Sequence, residues 1–280
     1  MSAPHPAFRI EGPARVSFSG GRTSAFMLHE ILRAHGGSLP DDIVVVFANT
    51  GKELPETLRF VHECATRWNV RVRWVEWRRG KPGFEEVGFN SASRDGQPFA
   101  DLMAWKQRTP NWTERWCTSF LKVLPMHALM RELGYGEPGA YVETIGLRDD
   151  EGLRIIRGRV RADREGRQVA YPLARAKVTK ADVLRFWAGQ PFDLGLEPWE
   201  GNCDLCFATG RGVRLARLRR RPEIARWWAV EEAKYGFFDR RDRVPSLMAE
   251  AHRSPDMLEP ASDEFDVECG DGCGYAEAAE

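Results

Sequence analysis

A short apolar segment that runs through two glycines into a helix constrains this chain more than any other feature. Residues 16–24 read V-S-F-S-G-G-R-T-S. Gly20 and Gly21 allow the backbone to turn tightly and to approach an anion. The amides that follow lie at a helix N-terminus, where the helix dipole favours negative charge. The segment therefore predicts a phosphate-binding turn, although similar strings also occur in ordinary strand–helix connections.

Polar side chains surround these two glycines. Ser19, Thr23 and Ser24 supply hydroxyl groups, and Arg22 supplies a guanidinium that can bind an anion through two hydrogen bonds. The candidate nucleotide-binding turn consists of Ser19, Gly20, Gly21, Arg22, Thr23 and Ser24.

Strand and helix signals alternate along the chain. The run I-V-V-V-F-A at residues 43–48 is apolar and β-branched, which is typical of a buried parallel strand. Further strands are expected at residues 14–18, 70–77 and 140–145, and helices at 24–35, 55–68, 119–133, 179–188 and 211–235, the last interrupted at Pro222. This alternation predicts an α/β fold with a doubly wound, mostly parallel sheet and a helical, cysteine-bearing C-terminal region.

Composition divides the chain into three parts. We expect a nucleotide-binding α/β domain at residues 14–200, a C-x-x-C segment with a basic helical region at 201–255, and an acidic tail at 256–280. The tail has nine acidic residues and no Lys or Arg, so the rest of the chain has a surplus of nine positive charges. A basic body favours a polyanionic ligand such as a nucleotide or nucleic acid, whereas the tail alone could serve solubility. Residues 78–116 and 154–167 lack periodicity, and irregular structure is expected there.

The chain lacks sequence signals for a membrane or for secretion. No apolar run reaches the length of a membrane span, and residues 1–13 lack the apolar segment of a signal peptide. We therefore expect a cytoplasmic protein with no membrane partner.

Six cysteines in such a protein favour metal binding or redox chemistry over disulfides. Cys203 and Cys206 form a C-x-x-C motif, and Cys117 supplies a third thiol. Three soft ligands suit an iron–sulfur cluster or zinc, and unligated thiols are the remaining interpretation. Cys64 lies on the apolar face of a predicted helix, so we expect it to be buried and inert.

A second polar turn follows the second predicted strand. In doubly wound sheets, ligands bind at the carboxyl ends of the strands. Asn49, Thr50 and Gly51 would then face the same crevice as the first turn. Considered alone, this tripeptide is equally typical of a structural turn.

These motifs together resemble a known family. S-G-G-R-T-S at 19–24 and N-T-G-K-E-L-P-E-T at 49–57 are similar to the PP-loop superfamily of ATP pyrophosphatases, and within it to the phosphoadenosine phosphosulfate (PAPS) reductase branch. Further similar segments, in the family's order, are C-T-S-F-L-K-V-L-P at 117–125, G-L-R-D-D-E-G-L-R at 146–154, Y-P-L at 171–173 and D-V at 182–183. The resemblance implies an adenine nucleotide alpha hydrolase-like fold.

The resemblance also implies roles for residues. The two turns would contact an adenine nucleotide, either ATP or an adenylyl sulfate, with or without Mg. Lys122, Arg148 and Arg154 would bind its sulfate or terminal phosphates, and Lys122 would take part in catalysis. ATP-cleaving members usually have Asp where this chain has Thr23, so the resemblance supports adenylyl nucleotides in general more firmly than Mg–ATP.

Iron–sulfur members of the family hold a 4Fe-4S cluster on cysteines that match Cys117, Cys203 and Cys206, with zinc as the alternative metal. They commonly have an adjacent second cysteine where this chain has Thr118. The fourth ligand is therefore open, and Cys269, Cys273 or an external thiol could supply it.

The string E-C-G at residues 268–270 resembles the E-C-G-L-H tail of the reductases. This implies that Cys269 is the catalytic nucleophile, with a metal ligand or no role as alternatives. The resemblance then implies an enzyme that reduces an adenylyl sulfate with a thiol electron donor. The alternative is ATP-dependent transfer of sulfur, from a thiol donor, to a nucleobase of tRNA or DNA, and a third hypothesis is a non-enzymatic nucleotide- or cluster-binding regulator.

Nucleic acid is also a candidate partner of the basic helical region. Six arginines at residues 211–221 precede Trp227 and Trp228. Arginines neutralise phosphates and tryptophan stacks on bases. A solvated helix face with core-facing tryptophans is the alternative interpretation.

Overall fold

A six-stranded sheet forms the centre of the protein. The structure is a computed structural model that describes residues 3–201 and 203–253. The strands are Ala14–Ser17 (β1), Ile43–Ala48 (β2), Val72–Trp77 (β3), Phe84–Val87 (β4), Val142–Thr144 (β5) and Gln168–Ala170 (β6). They lie in the order β4-β3-β2-β1-β5-β6, and all neighbouring pairs are parallel except β3 with β4. The predicted doubly wound, mostly parallel sheet is confirmed.

Helices flank the sheet and form the C-terminal region. They are Arg22–Ala34 (α1), Pro55–Arg67 (α2), Gln97–Lys106 (α3), Trp116–Thr118 (α4), Leu124–Glu132 (α5), Gly152–Arg164 (α6), Pro172–Arg175 (α7), Lys180–Ala188 (α8), Arg211–Arg220 (α9), Ala225–Tyr235 (α10) and Val244–Arg253 (α11). A π-helical segment, Ser119–Val123, joins α4 to α5. In the part of the chain that the structure describes, no helix combines the length and the apolar character needed to cross a bilayer.

The sheet is covered on both faces. Val45 and Phe47 pack on one face with apolar residues of α1 and α2, whereas Val44 and Val46 pack on the other face with α5. Successive residues of a strand point to opposite faces. The continuous apolar run of β2 is therefore buried along its whole length, as predicted.

The strand order places a ligand crevice at one end of the sheet. β1 pairs with β2 on one side and with β5 on the other, with Ala14 opposite both Ile43 and Val142. The strands that follow β1 in sequence, as far as β4, lie on one side of it. The chain then returns to the other side of β1 and forms β5, so the strand order reverses between β1 and β5. In open α/β sheets, ligands bind outside the carboxyl ends of the strands at this point.

The expectation of irregular structure over residues 78–116 is wrong in two places. β4 is a four-residue edge strand, too short to show an alternating pattern, and it pairs antiparallel with β3. α3 is stabilised by distant segments: Phe99 is buried and its ring lies 5.5 Å from that of Trp227 in α10. Long-range packing therefore outweighs the weak local pattern of this region.

The expectation of irregular structure over residues 154–167 is also wrong. α6 covers most of this segment, but it buries only Ile155, Gly158 and Ala162, a stripe too narrow to dominate the sequence pattern. A Cβ atom at Gly158 would lie 2.2 Å from the Tyr171 hydroxyl. Glycine is needed here because the tyrosine packs directly on the helix backbone.

The C-terminal helices have a core of their own. It joins α3, α4 and the π-helical segment to α9, α10 and α11, and includes Trp116, Cys203, Cys206 and Trp228. α9 ends at Arg220, and a 3-10 turn at Pro222–Ile224 leads into α10, so the predicted interruption at Pro222 is confirmed. The division of the chain at residue 200 stays a prediction, and the tail from residue 254 lies outside the described residues.

Candidate functional site

The turn between β1 and α1 presents backbone amides at a helix N-terminus. Gly20 has a φ of +81°, and Gly21 is the N-cap of α1. The first hydrogen bond of α1 is donated by Ala25 to the Gly21 carbonyl. The amides of residues 22–24 therefore have no acceptor inside the helix, and among the described residues no other group accepts from them. They are available to an anion.

Two serines hold this turn in shape. The Ser19 amide donates to Ser24 Oγ over 3.2 Å, and the two hydroxyl oxygens lie 2.9 Å apart. Ser24 Oγ in turn donates to the Gly21 carbonyl over 3.0 Å. The hydroxyls thus pre-order the turn before a ligand binds.

A pocket opens beside the turn at the carboxyl ends of β1, β2 and β5. Its cavity volume is about 70 Å³. Its walls are Ser17, Phe18, Ser19, Ser24, Ala48, Thr118, Lys122, Val123, Met126, Ile145, Gly146, Leu147 and Arg154. Six of these residues have apolar side chains, four have hydroxyl groups and two are cations. The pocket therefore suits a ligand with a flat apolar part and an anionic part.

Lys122 and a buried carboxylate meet at the edge of this pocket. Lys122 lies in the π-helical segment, and its Nζ is 3.8 Å from Glu53 Oε1. The other oxygen, Glu53 Oε2, accepts from the amide and the hydroxyl of Thr50, both over 2.9 Å. π-helical segments often occur at functional sites. Glu53 was not among the predicted site residues, although it lies in the N-T-G-K-E run directly after Asn49, Thr50 and Gly51.

The second turn contacts the C-x-x-C segment directly. Thr50 Oγ1 lies 3.7 Å from Cys203 Sγ, and Glu53 forms an antiparallel bridge with Cys203. Lys52 Nζ lies 2.8 Å from Asp204 Oδ2, and the Asp204 amide donates to the Lys52 carbonyl over 2.8 Å. The predicted ligand turn and the predicted cysteine site are therefore neighbours.

Asn49 shapes this turn from inside the protein. Its Nδ2 donates to Glu76 Oε1 over 2.6 Å and to the Ser93 carbonyl over 2.9 Å, and its Oδ1 accepts from the Gly51 amide over 3.2 Å. Gly51 has a φ of +78°, which favours glycine. The Asn49 side chain contacts protein groups here, and its contact with a nucleotide stays a prediction.

The guanidinium of Arg22 binds other protein groups, and its contact with a nucleotide stays a prediction. Arg22 Nε donates to Asp193 Oδ1 over 2.7 Å, and Nη2 donates to the Leu196 carbonyl over 2.9 Å. The ion pair with Asp193 turns the guanidinium toward residues 193–196.

Arg148 and Arg154 both reach the site. Arg148 is 2% exposed, and its Nη1 donates to Thr23 Oγ1 over 3.2 Å. Arg154 lines the pocket and pairs with Glu151. Without the family resemblance, the sequence would suggest that Arg148 lies in a solvated loop. In the structure, its side chain is buried against the turn between β1 and α1. The structure therefore gathers both arginines and Lys122 around the first turn.

The three candidate metal ligands meet at one apolar cluster. Cys203 and Cys206 are buried within it, and Cys117 packs against it. The described residues contain no group of three His, Cys, Asp or Glu side chains already arranged around a common point. Three thiols have the donor chemistry of a thiolate-bound metal, and their common role as ligands stays a prediction.

A buried arginine supports the C-x-x-C segment. Arg217 is 4% exposed and donates to the carbonyls of Trp199, over 2.9 Å, and Cys203, over 3.3 Å. Burial lowers the pKa of this guanidinium, and the nearby Cys206 and Glu200 oppose that effect. A fixed positive charge suits an anionic group such as a metal–thiolate centre.

The remaining cysteines differ from these three. Cys64 is fully buried, and burial raises the pKa of its thiol, so the expectation of an inert cysteine is confirmed. Cys269, the predicted nucleophile, lies outside the described residues together with Cys273.

The arginines of α9 form ion pairs inside the protein. Arg214 is buried against Asp239 and Asp242, over 3.0 and 2.9 Å. Beyond the end of α9, Arg221 lies 3.0 Å from Glu56 in α2. These contacts join the C-terminal helices together and to the α/β domain. Arg214 and Arg221 therefore serve in ion pairs within the protein, and contact of the basic helical region with nucleic acid stays a prediction.

Comparisons with known proteins extend over most of the chain. The sequence profile of the phosphoadenosine phosphosulfate reductase domain matches residues 13–186. The uncharacterised nin region protein ORF290 of Escherichia phage lambda is 32% identical over 199 residues, which is 68% of this chain and 64% of that protein. An uncharacterised protein of Methanocaldococcus jannaschii, MJ0066, is 30% identical over 124 residues, which is 44% of this chain and 21% of that protein. The chain thus spans less than two thirds of the length of either relative.

One solved structure aligns along most of the chain but with low similarity. It is the U34-tRNA thiolase NcsA from Methanococcus maripaludis with its 4Fe-4S cluster. The alignment covers 92% of this chain and 76% of that one, with 12% identity and a TM-score of 0.42. These values are too low for a comparison of the two sites.

Proposed function

Since the chain belongs to the phosphoadenosine phosphosulfate reductase domain family, we propose that it binds an adenylyl nucleotide in the pocket beside β1 and carries out cysteine-dependent sulfur chemistry next to it. Thr50 Oγ1 lies 3.7 Å from Cys203 Sγ, and this contact carries the proposal. A nucleotide held by the two turns would lie beside the C-x-x-C segment. Binding and sulfur chemistry would then share one site.

The pocket offers separate places for the two ends of such a nucleotide. The free amides at the start of α1 would hold phosphate oxygens, since helix N-termini favour anions. Phe18 and Met126 supply apolar surface for the adenine ring. Lys122 and Arg154 supply positive charge for the sulfate or terminal phosphate.

Cys117, Cys203 and Cys206 would hold the metal centre, a 4Fe-4S cluster with zinc as the alternative. When bound, an iron–sulfur cluster would supply electron or sulfur chemistry to the adjacent pocket. Arg217 keeps the segment that carries two of these cysteines in place through its hydrogen bonds to backbone carbonyls.

The first candidate reaction is reduction of an adenylyl sulfate. Thr23 stands where ATP-cleaving relatives have a metal-binding carboxylate, whereas Lys122, Arg148 and Arg154 supply cations for an anionic group. A cysteine thiolate, proposed as Cys269, attacks the sulfur of the sulfate group. The bond between that sulfur and the phosphate oxygen breaks, and the nucleotide leaves. A second thiolate from the electron donor then attacks the enzyme cysteine, which releases sulfite and forms a disulfide.

A second candidate reaction is ATP-dependent transfer of sulfur to a nucleobase. The segment after Cys203 reaches a second, larger groove: Phe207 stacks on Phe238, which lines it, with 6.0 Å between ring centroids. The cysteines would then lie between a nucleotide pocket and a groove that could admit a large substrate.

Sulfite release distinguishes the two reactions. Anaerobically purified protein should release sulfite from an adenylyl sulfate in the presence of dithiothreitol, and Cys269→Ser should abolish this. Lys122→Ala should lower kcat/KM at least about 100-fold, because it removes a cation aimed at developing charge. Lys177→Ala, an exposed lysine away from the pocket, is the matched control.

Other results would reject the reductase reaction or the nucleotide pocket, each independently of the other. Nucleotide binding without sulfite release, together with ATP-dependent replacement of oxygen by sulfur in a nucleic acid, would favour the second reaction. Absence of binding to both ATP and adenylyl sulfates by isothermal titration would contradict the pocket itself.

A further inference from the structure

We propose that a second groove of this protein, here called the arginine groove, binds single-stranded nucleic acid. It lies between residues 108–114 and residues 236–242 and is closed at its base by Arg211 and Arg214 of α9. Binding of a strand in this groove requires neither an adenylyl nucleotide nor a metal. It goes beyond the function proposed above and can be tested separately.

The arginine groove is far larger than the nucleotide pocket. Its cavity volume is about 1330 Å³, compared with about 70 Å³ beside β1. This volume exceeds the range of ordinary small-molecule sites, about 300–1,000 Å³. Its size therefore indicates a polymeric ligand.

Two large aromatic side chains stand exposed in the groove. Trp112 is 51% exposed and Phe237 is 43% exposed. Base–aromatic stacking is the sequence-tolerant contact by which proteins bind single strands. In a duplex the bases are already stacked on each other, so these rings favour an unpaired strand.

The aromatic rings are held in place before any ligand binds. Trp112 Nε1 donates to Asp239 Oδ2 over 3.2 Å. Asn111 Oδ1 accepts from the Glu114 amide over 3.0 Å, which closes the turn that carries the tryptophan. Thr109 Oγ1 donates to the Phe237 carbonyl over 2.9 Å and so joins the two walls. Such preorganisation lowers the entropic cost of binding.

The charge of the groove favours a polyanion. Its carboxylates are paired with arginines: Asp239 with Arg214, Asp242 with Arg214 and Arg211, and Glu114 with Arg108. Arg240 and Arg241 on the rim are exposed, and within residues 3–201 and 203–253 neither side chain forms an ion pair. Arginines placed beside stacking platforms are suited to the phosphates of a bound strand.

The groove runs up to both cysteine segments. Glu114 in its wall precedes Cys117 by three residues, so their Cα atoms are at most about 11 Å apart. On the other wall, Phe238 stacks on Phe207, the residue next to Cys206. A strand in the groove would therefore pass close to the predicted sulfur site, on the side opposite the contact of Cys203 with Thr50.

Fluorescence anisotropy of labelled homopolymers tests this inference. The full-length protein is titrated into fluorescein-labelled oligothymidylate and oligouridylate of about 20 nucleotides, and into a duplex of the same length. We expect both single strands to bind more tightly than the duplex, with affinity falling as salt rises from about 50 to 200 mM. The DNA and RNA arms show which of the two backbones the groove prefers.

Two variants, each with a control, distinguish the contribution of base stacking to binding from the contribution of positive charge. Trp112→Ala should weaken binding of single strands at least about fivefold, and Trp112→Phe, which keeps a stacking ring, should retain most of the affinity. The double change Arg240→Ala with Arg241→Ala should reduce the slope of log affinity against log salt by about 1.4. Arg71→Ala is the charge control, since this exposed arginine precedes β3 at the opposite end of the sheet.

Several outcomes would overturn the inference. They are no anisotropy change at low salt, equal loss of affinity in Arg71→Ala and in the double variant, or a Trp112→Phe protein that binds as poorly as Trp112→Ala while both show wild-type circular dichroism. Tighter binding of the duplex than of the single strands would also reject it. None of these results bears on the adenylyl pocket, which is measured separately by isothermal titration.

Discussion

Gly20 is a residue at which backbone conformation and packing both demand glycine. Its φ of +81° disfavours any side chain. A Cβ atom there would also lie 2.7 Å from Thr57 Cγ2 and 3.1 Å from Phe47 Cε2. α2 and β2 therefore press directly on the phosphate-binding turn, and the shape of the turn depends on both.

Gly20→Ala should destabilise the protein and weaken nucleotide binding. The backbone strain costs about 1 kcal/mol or more, and the overpacking costs about 1–3 kcal/mol in addition. Urea unfolding gives the loss of stability, and isothermal titration gives the loss of affinity. Gly36→Ala is the matched control, because Gly36 has a φ of +72° but open space around it. Equal losses for the two variants would show that packing at Gly20 is unimportant.

α8 is the element that supports the start of α1 from outside the pocket. Thr179 caps α8, and Asp182 Oδ2 accepts from the Thr179 amide over 2.9 Å, which completes a capping box. Trp187 Nε1 then donates to the Arg22 carbonyl over 2.9 Å. The first turn of α1, which carries the free amides, is thus held by a helix more than a hundred residues away in sequence. The helix predicted at residues 179–188 thus begins at this cap.

Thr179→Ala should lower the free energy of unfolding by about 1 kcal/mol, since it removes a side-chain cap. The measurement is urea denaturation followed by circular dichroism. Thr66→Ala is the same change near the end of α2, where the hydroxyl only donates to the His62 carbonyl, and it should have almost no effect. A Thr179→Ala protein as stable as the Thr66→Ala protein would contradict the role of the cap.

A network of buried charged side chains connects β1, β5 and α5. Glu143 in β5 binds Arg15 in β1 over 2.7 Å and Arg167 over 2.9 Å, and His127 of α5 lies 3.4 Å from it. Burial alone would raise the pKa of Glu143, but His127 and the two arginines lower it to about 2. Burial lowers the pKa of His127. The network joins the strands on either side of the ligand crevice.

Stability should therefore fall as the solution becomes acidic. The unfolded chain protonates His127 near its ordinary pKa of about 6.5, before the folded protein does, so protons favour unfolding below that pH. Glu143 adds a further loss between about pH 4.5 and about pH 2. Urea unfolding at pH 7, 6 and 5 should show this decline, and His127→Gln should make it shallower. An unchanged pH dependence in His127→Gln would assign the effect to other groups.

Features that depend on near neighbours in sequence were predictable. The β-branched run of β2, the interruption at Pro222, the cap at Thr179 and the glycine turn before α1 all follow from local propensity. The same local information placed both ligand turns at the carboxyl ends of strands, because a parallel sheet brings those ends to one edge. It failed for α3, which packs against distant segments, and for α6, whose buried stripe is too narrow to show in the sequence pattern.

Contacts between distant parts of the chain were decided only by the folded structure. Arg148 reaches Thr23 across 125 residues, and Thr50 meets Cys203 across 153. The guanidinium of Arg22 binds Asp193, which lies 171 residues later in the sequence. The physical reason is that the chemical type of a side chain determines which groups it can bind. The packing of the whole chain determines which of those groups comes within hydrogen-bonding distance.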